Sequence, residues 1–191
     1  NLGNIAFVEY AAGNRDEAVR LLRESLDMSR KELGPDHPDV GGRAASLAYW
    51  LLEAGQYDEA ARLVDESLAI RRASLGADHP KVATTLTVKA NLMLETRRYD
   101  EARLLSQEAQ RILLKSLPPD NWQVAAAMNT EGAALEKLGR YPDAEKLLLA
   151  SRPGLEAAPI PDLPEKGRER LFALYTAWGK PAEAQKYSAA N

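Results

Sequence analysis

The sequence predicts an all-α fold, an α-solenoid in which five helical hairpins wind into a right-handed superhelix, and three observations predict it. The segment Gly55-Gln56-Tyr57-Asp58-Glu59-Ala60 has near-copies at 13–18, 97–102, 139–144 and 179–184, the first four 42 residues apart and the fifth 40 residues on. Apolar residues recur at three- and four-residue spacing on both sides of these copies. A loop of the form Leu-Gly-x-Asp-His-Pro separates the first two units from those that follow, at 33–38 and 75–80. A fixed period of this length marks one helical hairpin stacked on itself, each copy burying its apolar face against the next.

In each unit the first helix (A) leads into the repeated turn and the second (B) leaves it. In the second unit Ala44, Leu47, Ala48, Leu51 and Leu52 share one face of helix A, and Gly55 is placed to close it in a left-handed conformation. Helix B opens with Asp58 and Glu59, whose carboxylates complement unpaired amides, and carries Ala60, Leu63, Val64, Leu68 and Ile70 as far as Leu75-Gly76. In the connecting loop glycine stops one helix, and aspartate with the following proline is expected to start the next. The third copy, 117–122, keeps Asp120 but has Asn121 and Trp122 where the others have His-Pro. Alanine at Ala6, Ala48 and Ala90 in helix A, and at Ala18, Ala60, Ala102, Ala144 and Ala184 in helix B, marks close approach of two backbones. Gly132 fits that slot and Phe172 does not, so the last hairpin is expected to pack differently. Arg152-Pro153-Gly154 is expected to end its helix, with Ala158 to Pro164 extended by prolines. The resulting organisation is four repeats over 1–152, the first truncated at its N-terminus, a proline-rich connection over 153–164, and a divergent capping repeat over 165–191.

Composition excludes several functions. Of 191 residues 45% are hydrophobic and 28% charged, with a net charge of −3, which gives no footprint for nucleic acid or a membrane surface. There is no cysteine, so disulfides, thiol catalysis and cysteine metal sites are absent. No apolar run approaches the ~18 residues of a membrane span. The chain starts Asn1-Leu2-Gly3, inside what later repeats mark as a helix, and reads as a fragment of a longer protein.

The 42-residue unit, its Gly-x-Tyr-Asp-Glu-Ala turn and its Leu-Gly-x-Asp-His-Pro loop resemble the tetratricopeptide repeat, in the long form of kinesin light chains and many bacterial proteins. The closing run from Arg170 to Ala184 also resembles the tail of bacterial serine/threonine kinases that carry such repeats. No glycine-rich nucleotide loop or kinase catalytic loop is present, so catalysis would belong to sequence outside the fragment. The resemblance implies a cytoplasmic protein-interaction module without cofactor or metal. Its partner would be a protein or peptide, and the exposed end of the first repeat offers self-association.

Candidate sites follow from register. His37 and His79 stand one repeat apart, on the order of 10 Å, too far for easy shared metal ligation, and are expected to order their loops. The Asp-Glu pairs sit at exposed helix starts, where a charge–dipole role suffices. The resemblance implies that the A helices line a concave groove. The inward positions are then Phe7 and Tyr10; Ser46, Tyr49 and Leu52; Thr84, Thr87, Asn91 and Glu95; and Asn129, Thr130 and Lys137. Phe7, Tyr49 and Asn91 share one slot in successive repeats: either two aromatics and an amide suited to an extended chain, or aromatics that complete inter-helix packing. The family's two-carboxylate clamp is incomplete. Read from the third repeat, Asn91, Lys166 and Arg170 match it, whereas Thr87 and Thr130 do not.

Overall fold

A computed structural model describes residues 2–188, with Phe7 and Ala11 described by backbone alone. The described residues form ten helices and no strand. They are α1 (Leu2–Ala11), α2 (Arg15–Leu33), α3 (Pro38–Glu53), α4 (Tyr57–Leu75), α5 (Pro80–Glu95), α6 (Tyr99–Leu113), α7 (Trp122–Lys137), α8 (Tyr141–Glu156), α9 (Asp162–Ala177) and α10 (Pro181–Gln185). The chain divides into two compact units, Asn1–Leu92 and Met93–Asn191, with the boundary inside α5.

In the first unit, α1 with α2 and α3 with α4 form hairpins. The turn between α3 and α4 needs a residue of positive φ, which Gly55 supplies at 73°. The alanine slots are filled as the register requires: Ala6, Ala18, Ala48 and Ala60 are all buried. The loop chemistry differs from the sequence expectation in one respect. The cap of α3 is His37, whose Nδ1 accepts the Asp39 N–H at 3.2 Å, and His79 Nδ1 accepts the Lys81 N–H at 3.1 Å in the same way. The preceding Asp36 and Asp78 lie in the turn. A ring nitrogen two residues ahead of the amide does what serine or aspartate usually does at a helix start, and proline then occupies the first helical position.

In the second unit, Asn121 plays the same part for α7, its Oδ1 accepting the Gln123 N–H at 2.9 Å. Leu135, Leu148, Leu171, Leu174 and Tyr175 form one core cluster, and Ala125, Leu155 and Leu163 form another. Ala102, Ala144 and Ala184 are buried. The turn before α6 has Arg97 where the other copies have glycine, at φ 61°.

The expected break at 152–154 does not occur: α8 runs through Pro153 to Glu156, and α9 begins at Asp162, ahead of the expected Glu165. Pro153 gives no N–H to the carbonyl four residues earlier. Packing keeps the turn helical instead. Ser151 donates to the Leu148 carbonyl at 2.9 Å, and Gly154 lies so close to α7 and the loop before it that a Cβ there would stand 2.6 Å from Ala125 Cβ and 2.8 Å from the Asp120 carbonyl oxygen. Phe172 is 42% exposed, since Leu171, Leu174 and Tyr175 take the core-facing positions of α9.

Candidate partner-binding clefts

The A-helix positions named from register separate into two groups. In the first unit Tyr10 and Leu52 are buried. Tyr10 packs its ring on Trp50 at 3.8 Å between centroids, so both residues complete inter-helix packing and neither offers free groove surface. Thr87 is likewise buried and spends its hydroxyl on the Ala83 carbonyl at 3.2 Å. Ser46 is exposed, while Tyr49, Thr84 and Asn91 are half-buried. Tyr49 meets Trp50 edge-on at 4.8 Å, and Asn91 donates Nδ2 to the Thr87 carbonyl at 3.0 Å. The side chain of Phe7 lies outside the described residues. Trp50, missed by the register argument, is the aromatic on which Tyr10 and Tyr49 both rest. It also lines an open cleft of about 610 Å³ with Ser46, Arg43, Arg71 and Lys81.

In the second unit Glu95 and Lys137 line a cleft of about 560 Å³, together with Lys166, Glu169 and Arg170 from α9 and the small Ala133 and Ala173. Lys137 also pairs with Glu136 at 3.1 Å. Asn129 and Thr130, expected to read a ligand, are instead buried behind the cleft. Arg170 Nη1 donates to Asn129 Oδ1 at 2.8 Å, and Asn129 Nδ2 donates to Ser151 Oγ at 3.2 Å. This chain of bonds ties α7, α8 and α9 together and fixes one guanidinium nitrogen of an arginine that also lines the cleft. Of the clamp residues, Lys166 and Arg170 share this cleft.

The acidic turns carry more than a dipole role. Glu59 accepts from Arg23 at 2.6 Å and Glu66 from Arg30 at 2.7 Å, two ion pairs that join α4 to α2. The Arg23 guanidinium holds the Glu59 carboxyl below the usual carboxylate range, opposite to what a general acid needs. The Glu17 carboxyl is held low in the same way by Arg20. Among the described residues no helix is long and apolar enough to cross a membrane.

Two family models, both described as tetratricopeptide repeat, match residues 2–39 and 42–115, together more than half of the chain. No curated protein matches it. Among solved structures it is similar to the nearly identical TPR-like repeats of a Podosopora anserina kinesin light chain. That likeness has 23% identity and a TM-score of 0.72, over 97% of this chain and 89% of the other. BtubC (BKLC) from P. vanneervenii is similar at 21% identity and a TM-score of 0.71, over 97% of this chain and 75% of that one. At these identities the likeness is one of fold.

Proposed function

Because the chain is a tetratricopeptide repeat protein, a fold that serves as a protein–protein interaction scaffold, we propose that it binds a peptide or partner protein on the faces of its A helices. The observation that carries this reading is the cleft of the second unit. Alanine at Ala133 and Ala173 keeps part of its wall low, while Lys166 and Arg170 present donors and Glu95 and Glu169 acceptors. An extended main chain alternates N–H and C=O groups and is matched by such a mixed wall, with the charged side chains selecting among sequences. Arg170 is braced by Asn129 before any ligand arrives, which lowers the entropy lost on binding.

A photo-cross-linking residue placed at Ala173, in the cleft, and separately at the exposed Ala150 of α8 tests the reading. Partner adducts should form from position 173 and not from 150. Adducts from 150 alone would move the binding surface to the B helices.

A second reading, self-association through α1, is favoured by Ile5 and Val8, which are 47% and 62% exposed and three residues apart on one helix. Sedimentation across a dilution series tests it. A concentration-dependent dimer that Val8→Glu abolishes supports the reading, and a monomer at all concentrations removes it.

A further inference from the structure

Register along the B helices singles out one residue. Positions 29, 71, 113 and 155 are equivalent in the 42-residue repeat and hold Ser29, Arg71, Leu113 and Leu155. All four are buried, Leu113 completely and Arg71 to 9% exposure. A small or apolar residue is what close packing asks for. An arginine in that slot loses its hydration and must recover the loss through hydrogen bonds or a counter-charge.

Arg71 recovers only part of it. Its Nη1 donates to the Lys81 carbonyl at 2.7 Å and to the Thr85 hydroxyl at 2.6 Å, with the Thr84 hydroxyl at 3.4 Å. Its Nε is buried without a partner. Among the described residues it forms no ion pair, and burial alone acts on its guanidinium, pushing the pKa down. Arg23 and Arg30 of α2, by contrast, each meet a glutamate.

The Arg71 guanidinium lies beside α3, where a Cβ on Gly42 would stand 3.6 Å from Nη2, an ordinary contact distance. Arg71 borders the first-unit cleft, whose walls also carry Arg43 and Lys81, with Asp39 as the one carboxylate among the lining residues. Arg43 donates Nη1 to Ser25 Oγ, and its Nε, too, is buried without a partner. Three cations therefore face one carboxylate around a single cleft.

We infer that this cleft is an oxyanion site, in which Arg71, Arg43 and Lys81 receive a carboxylate or phosphate group carried by a larger ligand. Guanidinium groups match both oxyanions in planar, charge-assisted geometry. Partial burial strengthens the attraction, and Trp50 and Leu22 give the rest of the ligand an apolar wall. The site lies wholly in the first unit and shares no residue with the cleft of the second.

The test is thermal unfolding of the whole chain, titrated with sodium phosphate and separately with sodium acetate, with ionic strength held constant by sodium chloride. An anion that binds only the folded state raises the midpoint saturably, and the larger rise identifies the preferred group. Arg71→Met should raise the midpoint without anion, since it removes an uncompensated buried charge, and should abolish the anion-dependent rise. Lys81→Ala, at an exposed position, should keep the fold and weaken the half-saturating concentration about tenfold, the loss of one charge-assisted contact. No saturable rise with either anion, or an equal rise in Arg71→Met, overturns the site. If Arg71→Met does not fold, an unchanged anion response in both Lys81→Ala and Arg43→Gln overturns it.

Discussion

Leu148 fills the space that a side chain at Gly132 would need: a Cβ there would stand 2.7 Å from Leu148 Cγ. Leu148 is itself fully buried. Gly132→Ala should therefore cost about 1–3 kcal/mol by overpacking, despite alanine's better helix propensity. At Gly42, where the nearest contact is 3.6 Å away, the same substitution should stabilise by about 0.5–1 kcal/mol. Paired denaturant melts of the two variants check the contrast, and equal effects would mean that the close approach is not felt.

Arg97 holds a left-handed conformation that the other turns give to glycine. A side chain in that region costs roughly 1–2 kcal/mol, so Arg97→Gly should stabilise the chain by about 1 kcal/mol after glycine's larger unfolded-state entropy is subtracted. An unchanged midpoint in chemical unfolding would show that the arginine side chain offsets its own strain.

The ion pair between Arg23 and Glu59 gives stability a pH dependence of known sign. The Glu59 carboxyl titrates lower in the folded chain than its unfolded value of about 4.3, so its contribution is present above that pH and fades as pH falls through the folded value. Both side chains are partly exposed, which limits the pair to under about 1 kcal/mol. Arg23→Met should lower stability by that amount at neutral pH and leave it unchanged at the acid end of a pH series of unfolding curves.

Tyr49 is half-buried and meets Trp50 by its edge. Tyr49→Ala should cost about 2 kcal/mol, less than the ~3–5 kcal/mol of a fully buried aromatic. A larger loss would place the ring in the core, and a negligible one would free it for a partner.

The hairpins were legible because they rest on local chemistry: glycine at positive φ, acids in first turns, alanine where helices touch. Each of these recurs at one period, so the copies corroborate one another. Burial was less legible, because an A helix packs both on its own hairpin partner and on the neighbouring repeat. Its free face is therefore narrower than a helical period suggests, which is why Tyr10, Leu52, Thr87, Asn129 and Thr130 turned out to be packing residues. Pro153 misled because a missing N–H is a local signal, whereas the contact of Gly154 with Ala125 is set by tertiary structure. Arg71 did leave a trace in the sequence, a cation at a position that is serine or leucine in the other three repeats. Register alone does not say that it lacks a counter-charge.

Five residues are too few for α10 to hold itself, since nucleating a helix costs more than one turn of hydrogen bonds returns. It persists through what α9 gives it: a buried seat for Ala184, the Tyr175 ring stacked on Tyr187 at 5.8 Å, and the Arg168 guanidinium donating to the Tyr187 carbonyl. α10 is thus the soft part of the second unit, and its unzipping from α9 precedes any opening of α7 and α8.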